Sequence, residues 1–167
     1  MQSMTGQLAL LALVGDLVIA IDVAAVVQLR LATDIAARRV DRNLFAVELD
    51  AETIPGWDVG ELLGLGTCDT AWGIVSLPSV DGGRRFGVRI GRCAAVQKLP
   101  VCHPIPSSLF RARAGAIAAA FAGPQIAELM SAPSGVVLDL SRLLTAGELG
   151  AGERLRRRRE AGLDRVT

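Results

Sequence analysis

The chain has no tyrosine, one histidine and one lysine in 167 residues. Aromatics make up 4% of it, two Trp and four Phe. Histidine is the usual proton-transfer group near neutral pH. With His103 alone and no tyrosine, most catalytic designs are poor fits. Cysteine is also scarce. Cys68, Cys93 and Cys102 are an odd number without CxxC spacing, which is no disulfide framework and fits a reducing cytosol. A tetrahedral zinc site wants four ligands in paired spacing. Adjacent Cys102 and His103 do not offer that from a Pro-rich segment, so no metal is expected. Gly64-x-Gly66 and Gly82-Gly83 form neither GxGxxG nor a P-loop, so no nucleotide cofactor is expected either.

What is present is aliphatic. Hydrophobic residues are 51% and charged residues 21%, enough for a single domain with a core built from Val, Leu, Ile and Ala. Net charge is +1, so no global attraction to nucleic acid or membrane follows. The charge is concentrated at one end, with Arg154, Arg156, Arg157, Arg158, Arg159 and Arg165 beyond Gly150.

Residues 8–27 form a long apolar run. Asp16 and Asp22 interrupt it, and each would cost roughly 2.5–3.5 kcal/mol at a bilayer centre. Gly15-Asp16 splits it into two lengths suited to a β-hairpin, with strands over 8–14 and 17–29. Further strands are expected over 44–49, 71–77, 85–90 and 135–140. Pro100, Pro104 and Pro106 make 100–106 a stiff connection without sheet donors. Residues 108–123 read equally as helix or strand. Asp58 and Asp139 are placed to cap short helices. Gly64 and Gly66 would end the first.

Two internal echoes suggest a duplicated plan. Asp58-Val-Gly-Glu-Leu-Leu63 is mirrored by Asp139-Leu-Ser-Arg-Leu-Leu144, and Ile21 to Val27 by Ile90 to Val96. Their offsets of 81 and 69 residues differ by 12, which places an insertion in the second half, around 116–133. Two related β-rich subdomains would follow.

At these echoes the sequence resembles the CheW-like family, the small adaptors of bacterial chemosensory arrays. The resemblance runs from Leu8 to about Leu149, through the Gly15-Asp16 turn, Ile21 and Val27, Pro55-x-x-Asp58 with Leu62-Leu63, Gly82-Gly83-Arg84-Arg85, and Val137-Leu138-Asp139-Leu140 with Leu143-Leu144. It implies an all-β fold: two packed five-stranded SH3-like barrels, intertwined within residues 1–149, with short helices after Asp58 and Asp139. Residues 150–167 are then an Arg-rich tail, frayed or disordered. It implies a non-catalytic, cytoplasmic adaptor at receptor arrays, with no cofactor. The partners implied are a chemoreceptor (methyl-accepting protein) signalling tip and a CheA-type histidine kinase, with no nucleic acid and no membrane insertion. The partner-binding positions this points to are Ile21, Ala24, Val26 and Val27 in a groove between the barrels, and Glu48 and Asp50.

The chain departs from the family pattern at two of these. Where the family has Asn-Leu-Arg-Gly, this chain has Glu48-Leu49-Asp50-Ala51, so an arginine becomes Asp50. Where the family often has Glu in the second strand, this chain has Val26. A divergent member that keeps one partner and loses the other is the expectation, since charge at an interface sets specificity. Two other readings stand beside it. Arg154–Arg159 could hold nucleic acid or anionic membrane. Asp69-Thr70-Ala71 is similar to an aspartic-protease signature but lacks its glycine.

Overall fold

The computed structural model describes residues 4–106 and 113–162. Two hairpins organise it. The first joins β1 (Leu8–Val14) to β2 (Leu17–Asp22) through a turn with Gly15 at φ 60°. The apolar run at residues 8–27 is therefore this hairpin and the start of a third strand. Among the described residues no helix is long and apolar enough to cross a membrane. The second hairpin joins β7 (Ala71–Val75) to β8 (Phe86–Ile90).

Each hairpin sends its next strand into the other sheet. After β2, the Asp22 carboxylate accepts from the Ala24 N–H (2.9 Å) and caps a 3-10 turn at Val23–Ala25. That turn ends the strand that the sequence extends to residue 29. The chain then enters β3 (Val26–Leu31), which pairs with β7. After β8, β9 (Cys93–Lys98) crosses back to pair with β1. The remaining strands are β4 (Ala37–Arg39), β5 (Phe45–Leu49), β6 (Glu52–Asp58), β10 (Cys102–Pro104), β11 (Ile117–Ala122) and β12 (Ser134–Leu138). The sheet orders are β10-β11-β12-β2-β1-β9 and β3-β7-β8-β6-β5-β4.

Read from opposite ends, the two orders match strand for strand. Each has one parallel pair, β12 with β2 and β6 with β8. The sequence echoes fall on matching places: Ile21 and Ile90 near or at the ends of β2 and β8, Asp58 and Asp139 ending β6 or following β12. The surplus in the second half is visible too. β5 and β6 are joined by a tight turn at Asp50 and Ala51, whereas β11 and β12 are joined through α2 (Pro124–Met130). The two packed barrels are present, and each sheet counts six strands because the short segments β4 and β10 also pair. β10 corrects the donor-free connection expected at 100–106. It lies at a sheet edge, where the N–H that Pro104 lacks is not needed. Of the segment 108–123, Ile117–Ala122 is strand, and 108–112 lie outside the described residues.

The aliphatic composition follows from three cores. In β1, Ala9 and Leu11 face a core inside the first barrel, with Phe121, Ile126 and Met130. Leu10, Ala12 and Val14 face a core shared between the sheets, with Ile19, Ile21, Val75 and Ile90. The second barrel encloses Phe45, Val47, Ile54, Trp72 and Ile74. Strands buried on both faces read as continuous hydrophobic runs instead of alternating ones. This is why residues 8–21 look membrane-like.

The Asp caps form as expected. Asp58 Oδ1 accepts from the Glu61 N–H (3.0 Å) to start α1 (Val59–Leu63), and Gly64 at φ 72° ends it. Asp139 accepts from the Ser141 N–H (3.0 Å) at the 3-10 turn Leu140–Arg142. Glu61 in the first turn of α1 pairs with Arg39 (2.5 Å). The Arg39 hydrogen bond outweighs burial and holds the Glu61 carboxyl below its ordinary value. A lowered folded pKa means stability that is full above the ordinary carboxylate range and lost as pH falls through the lowered value. We expect Glu61→Gln to flatten the acid limb of urea midpoint against pH, and to leave the curve unchanged in shape above it.

The Arg-rich tail differs from expectation. Residues 150–160 belong to a 15-residue helix, α3 (Ala146–Glu160), opened by a capping box between Thr145 and Glu148. Gly152, Leu155 and Arg156 share one face and are buried. Gly152 lies so close to Trp57 and Pro55 that a Cβ would stand 2.9 Å from the Trp57 ring. Arg156 is only 5% exposed and donates to the Arg85 carbonyl (2.5 Å). Burial lowers its pKa. A charge run reads as solvated, yet its i, i+3, i+4 spacing supplies a docking face. Residues 163–167, with Arg165, lie outside the described residues.

Candidate docking surface

One edge of the second sheet is β3, paired only on its β7 side, and the other is the short β4. Its side chains alternate. Gln28 and Arg30 are half-buried, while Val27 is 56%, Leu29 42% and Leu31 56% exposed. Leu29 sits opposite Gly73 and Leu31 opposite Ala71. Cross-strand partners share a face, and on β7 that face carries Ala71 and Val75 into the shared core. The stripe is thus the exposed continuation of the inter-barrel core. The register slips between Val26 and Gln28. Through that bulge Val26 packs on the shared core while Val27 stands clear of it. The matching edge strand β9 repeats the theme more weakly, with Val96 exposed opposite core residue Leu10.

Beside this edge the barrels leave a mostly apolar cavity of about 260 Å³. Asp22, Ala25, Leu77, Pro104, Leu138 and Leu140 are among the residues lining it. Ala24 is exposed on the 3-10 turn at its rim, next to Ala25.

The six positions named from the sequence are not one patch. Ala24, Val26 and Val27 lie together on the 3-10 turn and the start of β3, next to Ala25, which lines the cavity. Ile21 is 1% exposed and belongs to the shared core, so it is a packing residue and not a contact. Its strand is central in the first sheet, with β12 and β1 paired along its two edges. Glu48 and Asp50 lie four strands away from β3 in the hydrogen-bonding order, on β5 and the turn after it. Glu48 accepts from Thr53 Oγ1 (2.8 Å) and pairs with Arg159 of α3 (2.9 Å). Asp50 is exposed at φ 54°, in the left-handed region that Asp tolerates better than most residues. Its identity thus has a local backbone reason as well as a charge. Leu49, Pro55 and Asp58 are buried in the barrel, as their pattern implied. Leu29 and Leu31 escaped the sequence reading. The alternation Val27-Gln28-Leu29-Arg30-Leu31 carries that signal, half-buried polar against exposed apolar.

The buried polar chemistry is structural. Asp58 Oδ2 accepts from the Cys68 N–H (2.9 Å) and from Arg89 Nε (2.9 Å). The Arg89 guanidinium lies 4.4 Å from the Phe45 ring centroid and 5.6 Å from that of Trp72. Every acceptor site in use on Asp58 thus holds the fold. Asp69 is exposed on the loop before β7, with the Thr70 hydroxyl 3.4 Å away. A protease dyad needs two carboxylates sharing a sheltered proton, and an exposed loop Asp is not built for it. Among the described residues, no three His, Cys, Asp or Glu side chains come together to hold a metal.

Cys68 is buried, and its pKa is pushed up to about 11, by burial first and by the Asp58 carboxylate second. The thiolate is the reactive form. We expect Cys68 to resist Ellman's reagent in the native protein at neutral pH and to react once urea unfolds it. A thiol count that urea leaves unchanged would contradict this.

No protein-family model matches the sequence, and no curated protein matches it. The fold does have a solved counterpart. The scaffolding protein TtCheW from Thermoanaerobacter tengcongensis superposes with a TM-score of 0.68, over 86% of this chain and 96% of that one, at 12% identity. The architecture of the present chain is therefore that of a CheW scaffold, as the order of its sequence patterns implied.

Proposed function

We propose that this chain is a non-catalytic docking adaptor of chemosensory arrays in the cytoplasm, a divergent CheW-like protein. The observation that carries this is the exposed row Val27, Leu29 and Leu31 on an edge strand paired on one side only, continuous with the core between two barrels. An exposed apolar row on a sheet edge suits the apolar face of a helical partner. The partner we assign to it is a chemoreceptor signalling tip. The TtCheW scaffold with the same fold supports this reading.

The second patch argues for a restricted partner list. Asp50 presents negative charge where the family pattern has arginine, and Glu48 is engaged by Arg159 from α3. A kinase regulatory domain complementary to that arginine would meet like-signed or occupied groups there. Pull-down of the full chain against a receptor signalling tip and a CheA-type regulatory domain tests the assignment. We expect capture of the tip and not of the kinase domain. Equally tight capture of both would overturn the restricted reading, and capture of neither would overturn the adaptor.

A further inference from the structure

The arginines of α3 divide into two sets. Arg156 reaches Asp81 (3.6 Å), Arg157 reaches Glu153 (3.3 Å), and Arg159 reaches Glu48. Arg154 and Arg158 have no such carboxylate among the described residues. They sit at i and i+4, a spacing that sets like charges side by side at a cost. Both line one cleft between α3 and the β4–β5 segment, and the cleft's third arginine is Arg38, from β4, which also has no ion pair among the described residues. The cleft holds about 270 Å³, and Asp41 is the one acidic residue lining it. One Asp41 oxygen is taken by the Arg42 N–H (2.7 Å).

The helix dipole does not account for this arrangement. Basic residues in a last helical turn are favoured by it, which covers Arg158. It does not cover Arg154, two turns from the C-terminus, or Arg38, which comes from a strand. Three guanidiniums facing one carboxylate leave an excess of two positive charges in a concave space. That is the complement of a phosphate monoester, which carries about −1.5 to −2 at neutral pH and accepts paired N–H groups from guanidinium forks. Base recognition has no support, because no aromatic residue lines the cleft for stacking. An extended acidic peptide fits less well than a compact dianion, since the charges converge from two elements on one hollow.

We propose that Arg38, Arg154 and Arg158 form a phosphate-binding site at the α3–β4 cleft, separate from the β3 edge and independent of the adaptor role. The phosphate is that of a soluble monoester or of a lipid headgroup. Titration calorimetry on the full chain with glycerol 3-phosphate and with inorganic phosphate, and co-sedimentation with phosphatidylcholine vesicles with and without phosphatidic acid, separate the two sources. Saturable binding of the soluble esters assigns a free phosphate. Binding confined to phosphatidic-acid vesicles assigns the headgroup. In either case Arg154→Ala and Arg158→Ala should each weaken binding by about tenfold or more. Ligand-free, both variants should melt at or above the parent temperature, because substitution relieves repulsion. Arg154→Lys with Arg158→Lys keeps the charge and loses the forks, and should also weaken binding. Binding that these substitutions leave unchanged would overturn the site. So would no binding by any of the four probes, or binding of hexaglutamate in their place.

Discussion

Asp58→Ala should lower the stability of this protein by about 3–5 kcal/mol, a large share of the roughly 5–15 kcal/mol that holds an ordinary domain folded. The Asp58 side chain is fully buried and Arg89 is 16% exposed. Removing the carboxylate leaves the guanidinium buried against Phe45 and Trp72 without its counter-charge. It also strips the cap from α1 and the acceptor from the Cys68 N–H. Losing one partner of a buried pair is costly because the other charge stays desolvated. The equivalent residue in the other barrel supplies the control. Asp139 is 28% exposed at its side chain, caps a 3-10 turn, accepts from the Ser141 hydroxyl and pairs with the exposed Arg142 at 3.7 Å. Asp139→Ala should therefore cost about 1 kcal/mol, the worth of a cap. Urea denaturation of both variants checks the contrast. Equal losses would mean that the Arg89 pair contributes nothing beyond capping.

Leu29→Glu should abolish capture of a receptor tip while leaving the fold intact. Leu29 is 42% exposed, opposite Gly73 at the rim of the shared core. A carboxylate there is hydrated in the free protein, so the stability change should stay within about 0.5 kcal/mol. In a complex it would be buried without a partner, at about 3 kcal/mol, or roughly 100-fold in affinity. Leu31→Glu should act alike. Val101→Glu is the matched control, because Val101 is 61% exposed on the connection before β10, a strand of the other sheet. Loss of capture in all three would point to general surface charge and not to the edge.

The plan of two related barrels was legible because its punctuation is chemical. Asp58 and Asp139 each end a strand with an acceptor for the first N–H groups of a helical turn, and that need is local. The Gly15 turn is equally local. The exchange of β3 and β9 between sheets was not legible, because a strand's sequence does not say which neighbour it pairs with. Asp22 shows the difficulty: the same residue can face outward mid-strand or, as here, cap the turn that carries the chain across. Of the proposed surface, Val26 and Val27 are picked out by their match to a pattern, and only Val27 stands exposed. Ile21 was misplaced because an apolar residue at a strand end reads alike whether it faces core or groove. Leu29 and Leu31 were passed over because half-buried Gln28 and Arg30 between them look like a solvated face. The helical docking of α3 depended on Gly152 meeting Trp57, a contact between residues 95 positions apart that no local pattern records.

The most direct measurement is hydrogen exchange on the full chain, alone and with a receptor signalling tip. The docking account predicts added protection over residues 26–31 and the 3-10 turn at Val23–Ala25, with α2 and the Asp50 turn unchanged. Protection that falls on α2 or the Asp50 turn and spares β3 would contradict it.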